Sequence, residues 1–439
     1  MPMRRTIGLV TATSLVAGSM IGTGIFIKPA IMAQHGGSVA IVLLAWLVAG
    51  LLSYAGALTY GELCARLPAA GGEYAILRES YGSFTAYMYG WMRFTIGAPG
   101  SAASYAVGAA AFLQVVAPYH GLGIKTWHVA AAFLTFFTLI NCLTLFVSAT
   151  VQVTLTVIKI ASLVTIGFTL LWYAPASTAV APPTQWPGML SFSAALMAAL
   201  WAYDGWNNLP MLGGEVSHAR RNLPLALALG MGIVLATYML VNAGYFRVLS
   251  FSAVVASNPS VREGAQPVAA LAMHTVISDA SVRVVAALMV ISALGSLNGS
   301  LLSSARVPYA MATDGVFFPP LARLSRNHAI PVLSTLSQGA IAILLAMSGT
   351  FDQLTDSVVF ASWIFYALTA GAVFRLRRRA DKSESIFHVP LYPVLPALFI
   401  ACSAAFIAYA IFAMPYLTGI GLLVIALGAP IYMLFRRRR

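Results

Sequence analysis

The chain has 439 residues, of which 60% are hydrophobic and only 8% charged, and its formal net charge is +13. So little charge cannot cover the surface of a soluble domain. The many uncharged stretches of about 20 residues are each long enough to cross a hydrocarbon core of roughly 30 Å. They are continuously apolar, whereas barrel strands would be segments of about 10 residues with alternating polarity, so they read as helices. The basic residues sit in short loops and at the C-terminus, a distribution that fits membrane orientation and argues against nucleic-acid binding. The three cysteines, Cys64, Cys142 and Cys402, are far apart and show no metal spacing. No small-residue cleavage site follows the N-terminal Met-Pro-Met-Arg-Arg, so the first helix is expected to be uncleaved.

In chain order, the pattern predicts twelve spans near 7–33, 38–62, 84–116, 127–146, 149–173, 191–214, 224–249, 266–312, 331–349, 354–375, 390–412 and 416–435. The third and eighth exceed what a membrane needs, as tilted helices do. With an even number of spans, both termini share a side. On that side fall Arg4, Arg5, Arg66, Arg78, Arg220, Arg221, Arg323, Arg326, Arg375, Arg377, Arg378, Arg379, Lys382 and Arg436 to Arg439. The opposite loops hold little more than Lys125 and Arg262. This asymmetry predicts cytoplasmic termini in a multi-pass inner-membrane protein.

The first span is interrupted by Gly18-Ser-Met-Ile-Gly22-Thr-Gly24. Glycine costs about 1 kcal/mol in a helix interior and proline about 3. A break here frees backbone N–H groups at the start of the second half-helix, where a carboxylate is favoured. The alternative is a helix-packing seam of small residues, which Gly18-Ser-Met-Ile-Gly22 also fits. The sixth span carries a matching interruption at Ala202-Tyr-Asp-Gly205-Trp-Asn-Asn208, followed by Pro210. Its freed carbonyls can accept from an ammonium group, and the rings of Trp201 and Tyr203 either cover a ligand or simply pack. The two breaks are five spans apart. They therefore open two halves of five, and an odd number per half inverts one half relative to the other. Paired breaks of this kind point to a midplane site in a secondary transporter.

Three further features fall within spans. Lys159 lies about ten residues into the fifth, roughly 15 Å deep at 1.5 Å per residue, too far from either interface to snorkel. It can serve as a fixed cation or as a titrating group. Asp204 is the one acid expected near the midplane. It can hold a cationic substrate group, relay a proton, pair with Lys159, or cap the second half of the sixth helix by accepting from Trp206 or Asn207. Ser292, Ser296 and Ser300 recur every four residues beside Gly295 and Gly299, giving one small polar face that either meets Lys159 or forms a packing seam. Glu62, Arg66, Glu73, Arg78 and Glu79, with Glu215, Arg220 and Arg221 after the sixth span, read as a solvated loop face or as an ion-pair network that opens and closes. No phosphate loop, catalytic triad or metal cluster appears, so neither an enzyme nor a cofactor is expected. Nothing supports a sensor either, and paired broken helices fit a carrier better than a channel.

Four segments resemble the amino acid–polyamine–organocation (APC) superfamily, most closely the bacterial homologues of its L-type amino acid transporter family. They are Gly18-Ser-Met-Ile-Gly-Thr-Gly-Ile-Phe26; Tyr60-Gly-Glu-Leu with Pro68-Ala-Ala-Gly-Gly-Glu-Tyr74; Tyr203-Asp-Gly-Trp-Asn207; and Gly295-Ser-Leu-Asn-Gly-Ser300 leading to Ala305-Arg306. Glu215 through Pro224 is similar to the family's loop after its sixth helix. The resemblance implies a single all-α membrane domain over 1–439, with a LeuT-like five-plus-five inverted repeat (1–173 and 191–380) and two added helices (388–439). It implies that Ser19, Met20, Ile21 and Gly22, beside Thr23 and Gly24, meet the substrate carboxylate. Carbonyls near Trp201 and Ala202 would receive the α-amino group, Trp201 would gate, and Asn207 would lie near the substrate. Lys159 matches a lysine that takes the place of sodium; Gly18, Ser296 and Ser300 belong with it.

The implied activity is sodium-independent exchange of small or neutral L-amino acids. Proton-coupled uptake through Lys159, and carriage of basic amino acids or polyamines through Asp204, stay open. Eukaryotic L-type members bear a cysteine before the fourth helix that ties them to a heavy chain. The loop from Ala117 to Thr126 has none, so no such partner is expected. Asp204 stands where many members have a small residue.

Overall fold

The computed structural model describes residues 5–173, 188–258, 261, 265–276, 279–348, 351–379, 387–413 and 415–436. Arg4, Arg262, Lys382 and Arg437, Arg438 and Arg439 of the charge pattern lie outside the described residues. The described chain is helical, and its two β-bridges, Ile7 with Val216 and Ala70 with Leu212, are isolated.

The helices run in order as α1 (Leu9–Met20), α2 (Gly24–Gly36), α3 (Val39–Arg66), α4 (Glu73–Tyr81), α5 (Ser83–Met92), α6 (Ala98–Val116), α7 (Thr126–Leu143), α8 (Leu145–Trp172), α9 (Met189–Ala202) and α10 (Asn208–Met211). They continue as α11 (Ala219–Val248), α12 (Phe251–Ala256), α13 (Val268–His274), α14 (Asp279–Ser304), α15 (Arg306–Thr313), α16 (Val332–Ser348), α17 (Phe351–Arg379), α18 (Val394–Ala413) and α19 (Pro415–Arg436). A π-helical turn at Arg93–Gly97 joins α5 to α6. Among the described residues eight helices are long and apolar enough to cross a membrane, and nine if the bent pair α1 and α2 forms one span. The molecule is therefore a multi-pass membrane protein. The stretch expected as one helix over 266–312 is divided: α13 is a separate short helix, and α14 and α15 meet at a break around Ala305.

Both predicted interruptions are real. α1 ends at Met20, α2 begins at Gly24, and their axes differ by 42°. α9 ends at Ala202, five residues follow in turns, and α10 starts at Asn208. Glycine is what lets the two breaks touch. Gly205 has φ +114°, a backbone conformation that side chains rarely adopt, and a Cβ there would sit 2.9 Å from the Ser19 carbonyl oxygen. A Cβ on Gly24 would sit 2.8 Å from that of Ala202. Around this contact the long helices α3, α8, α11 and α14 pack closely on the broken pair.

On the side that carries the N-terminus the breaks are tied down by backbone bonds. Ile7 donates to the Glu215 carbonyl at 3.0 Å, Ser217 N–H donates back to Ile7 at 2.9 Å, and Gly71 donates to Met211 at 2.9 Å. Three acids of this side, Glu62, Glu73 and Glu215, are buried. Glu62 is 0% exposed and accepts from Arg66, from Arg377 at 2.6 and 2.7 Å, and from Val389 N–H at 2.8 Å. Glu215 forms a forked pair with Arg306 at 2.7 and 3.0 Å, both buried. Arg78 pairs with Asp314. Of the two readings of these charges, the ion-pair network fits Glu62, Arg66 and Glu215, whereas Glu79, Arg220 and Arg221 are exposed as a solvated face would have them. The short helix α4 folds Glu73 back into the bundle, and Glu62 is screened by arginines from two helices.

Candidate functional site

The centre of the molecule is the crossing of the two breaks. Where α1 stops, three carbonyls lose their helical partners, and a cation from α8 meets two of them. Lys159 Nζ donates to Gly18 and Ile21 carbonyls at 2.7 Å each, and to Ser296 Oγ at 3.2 Å. Ser296 Oγ lies 3.2 Å from the same two carbonyls, and Ser292 Oγ lies 3.0 Å from those of Ile21 and Gly22. The broken helix end, which has partial negative character, is thus met by a buried lysine nitrogen and two hydroxyls. The serine face meets Lys159 through Ser296. Ser300 is one turn further along α14, buried, and does not reach the ammonium.

Tyr238 of α11 joins the two breaks. Its hydroxyl lies 3.1 Å from both the Met20 and the Ala202 carbonyl oxygen. The Gly22 N–H turns back onto Met20 at 2.8 Å. The first helical N–H groups of α2, at Gly24 and Ile25, precede its first helical bond, from Phe26 N–H to the Thr23 carbonyl at 3.1 Å. Ser19 Oγ and Thr23 Oγ1 are buried, and neither has a hydrogen-bond partner among the described residues. A Cβ on Gly299 would lie 2.5 Å from Ser19 Oγ, so that hydroxyl points towards α14. Tyr105 of α6 lies over Gly22, where a Cβ would be 3.4 Å from its ring.

The sixth-span residues divide in two groups. Trp201 is half-buried against Gly24, and Lys28 Nζ lies 4.5 Å from its ring centroid, a cation–π contact. Tyr203 turns away from the crossing and packs edge-on against Trp46, with Tyr238 beside it at 5.1 Å. Of its two readings, packing is the one the geometry gives. Asp204 neither caps α10 nor pairs with Lys159. Its carboxylate accepts from the Tyr366 hydroxyl at 2.8 Å and interacts with Arg93. Asn207 donates to Glu73 Oε1 at 3.1 Å. Four residues of this region escape the sequence reading: Lys28, Arg93, Tyr105 and Tyr238. Lys28 and Arg93 had a signal, because each is ionisable and falls inside a predicted span. The two tyrosines had none.

Among the described residues no group of histidine, cysteine, aspartate and glutamate could hold a metal ion. On the side away from the N-terminus a cavity of about 330 Å³ opens beside α2, lined by Ile27, Phe112, Gln266 and Met289 among others.

Two broken helices that meet inside a bundle of apolar spans, with the Gly18, Ile21, Met20 and Ala202 carbonyls at their meeting point, are the arrangement found in secondary transporters. The family comparison gives the class. The chain matches the amino acid permease family over residues 7–435 and belongs to it. It is 31% identical to the serine/threonine exchanger SteT of Bacillus subtilis, covering 100% of this chain and 98% of that protein. It is 30% identical to the human b(0,+)-type amino acid transporter 1, over 90% of this chain and 80% of that one. It is 28% identical to the human cystine/glutamate transporter, over 99% and 85%. The L-type relationship that the motifs suggested therefore holds.

Proposed function

We propose that this protein is a sodium-independent exchanger of small neutral L-amino acids, working by alternating access on a LeuT-like five-plus-five inverted repeat followed by two further helices. The repeat halves are 1–173 and 191–380, the added pair is 388–439, and both termini are cytoplasmic. The observation that carries the reading is the Lys159 ammonium seated on the Gly18 and Ile21 carbonyls. A fixed cation at the broken end of α1 does what a bound sodium ion would do, and it needs no ion from solution. Exchange is the activity printed in the name of SteT, which this chain matches along nearly its whole length.

The substrate carboxylate meets Ser19 to Gly24, from the end of α1 to the start of α2, and the α-amino group meets carbonyls at Trp201 and Ala202. Trp201 closes the outer side. Asp204 is bonded to Tyr366 and opposed by Arg93, which supports a neutral rather than a cationic side chain. Asn207 is committed to Glu73 and supports the inner wall of the site.

The test is uptake of a radiolabelled mixture of neutral amino acids into proteoliposomes in sodium-free buffer. Half the vesicles are preloaded with unlabelled amino acids. Uptake confined to preloaded vesicles is the expected result. Uptake into empty vesicles driven by an imposed pH gradient would overturn exchange in favour of proton-coupled transport.

A further inference from the structure

A second polar cluster lies beyond the crossing, towards the N-terminal side. Glu73 opens α4 yet is 0% exposed. Its Oε1 accepts from Asn207, and its Oε2 has no hydrogen-bond partner among the described residues. The Tyr89 hydroxyl beside it is buried and interacts with the Glu73 carboxyl. Arg93, on the π-turn between α5 and α6, donates to Asn208 Oδ1 at 3.3 Å, and its Nε is unpartnered among the described residues.

The charges facing Glu73 come from every neighbouring element. α3 brings Tyr60 and Cys64, and α5 brings Tyr89. The π-turn brings Arg93, the sixth-span break Asp204, and α17 Tyr366. Two carboxylates therefore share one guanidinium, and the fully charged cluster carries a net charge of −1. A net charge inside a membrane protein is costly, and one proton removes it. Asp204 is the worse place for that proton, because it is partly exposed and already holds the Tyr366 O–H. Glu73 is the better one. A proton on Oε2 can be donated to the Tyr89 oxygen, and the Tyr89 O–H can donate instead when the carboxyl is ionised, so the two groups stay bonded in both states.

We propose that Glu73 is a proton-binding residue of the transport cycle, protonated while the N-terminal side is closed and deprotonated when that side opens. The consequence for transport rests on the carrier reading above. Asn207 stands immediately before α10, the segment that must move to open this side. Its departure removes the bond to Oε1 and lets water reach the carboxyl, so the proton passes to cytoplasmic water and returns from it on closing. Burial pushes the Glu73 carboxyl up to about 7, whereas a wetted glutamate titrates near 4.3. A carboxyl raised in this way stabilises the closed form below its wetted value, and the stabilisation is lost as pH rises through about 7.

The test needs no substrate at first. Thermal unfolding of purified wild type and Glu73→Gln is followed from pH 5.5 to 8.5. Wild type is expected to lose midpoint temperature from pH 5.5 to about 7 and to level off above it, and Glu73→Gln, a permanently neutral mimic, to stay flat and exceed it at pH 8.5. A Glu73→Gln protein that keeps the wild-type slope overturns the proposal. Should that variant fail to fold, Asn207→Ala decides. Removing a donor to the carboxylate moves the wild-type pH midpoint upward, and an unmoved midpoint overturns the assignment. In exchange assays wild type should slow at least fivefold from pH 6 to 8.5 while Glu73→Gln does not. If no amino acid exchanges at all, the carrier reading fails, and the unfolding curves still decide the proton site.

Discussion

The ammonium nitrogen of Lys159 lies 2.7 Å from the carbonyl oxygen of Ile21, a residue 138 positions away in sequence. Ile21 is the first residue beyond the helical geometry of α1, which ends at Met20, so the bond joins α8 to the broken end of α1. Replacing Lys159 with alanine leaves the Gly18 and Ile21 carbonyls dependent on Ser292 and Ser296 alone. Each buried acceptor that loses a partner costs about 1–3 kcal/mol. We expect Lys159→Ala to lose at least 90% of sodium-free exchange while still eluting as a monodisperse species in detergent. Wild-type exchange in the variant would show that the cation is dispensable.

Tyr238 connects the two breaks through one hydroxyl, and a hydroxyl has one proton to give. Tyr238→Phe keeps the ring packing against Trp46, 5.4 Å away, and removes only that donor. A neutral hydrogen bond contributes about 1 kcal/mol net, which is roughly fivefold in an equilibrium constant. The variant should raise the exchange KM about fivefold with little change in thermal stability. An unchanged KM would mean the hydroxyl holds only the empty site together.

How much of this was legible in the sequence depends on what kind of signal each feature leaves. The breaks were legible because glycine and proline in an apolar run have a local cost that needs an explanation. Lys159 was legible because a lone charge at mid-span needs one too. The partner of Asp204 was not, since Tyr366 lies 162 residues away and tyrosines in apolar helices are common. The burial of Glu62 and Glu73 was hidden for a related reason. A charge near a span's end reads as solvated unless the folding-back of α4 and the approach of α17 are known, and both are tertiary events. Arg93 was readable on the same grounds as Lys159.

The Lys28 and Trp201 pair bears on closure of the outer side. Lys28 is buried and sits over the indole face. Its replacement by methionine preserves most of the volume and removes the charge. Cation–π contacts contribute about 0.5–2 kcal/mol, so Lys28→Met should loosen Trp201 and raise KM from the outer face by about two- to thirtyfold. Tryptophan fluorescence quenching by acrylamide should rise in parallel. Unaltered quenching and KM together would place Lys28 outside the gate.

The forked pair between Glu215 and Arg306 ties the loop after α10 to the start of α15. Both side chains are nearly inaccessible, at 4% and 1% exposure. Removing one member leaves the other as an uncompensated buried charge, which costs about 3–5 kcal/mol. Arg306→Ala should therefore destabilise the closed form strongly, whereas Arg306→Ala combined with Glu215→Ala should recover part of that loss. The measurement is a double-mutant cycle on thermal unfolding in detergent, read together with cysteine accessibility at Ile7 replaced by cysteine. Ile7 is buried and bonded to the Glu215 backbone, so opening of this side exposes it. Higher labelling in Arg306→Ala than in the double variant would make the pair a latch on the N-terminal side. A double variant whose destabilisation equals the sum of the Arg306→Ala and Glu215→Ala effects would mean instead that the two charges act independently, and that the backbone bonds from Ile7 alone hold this side shut.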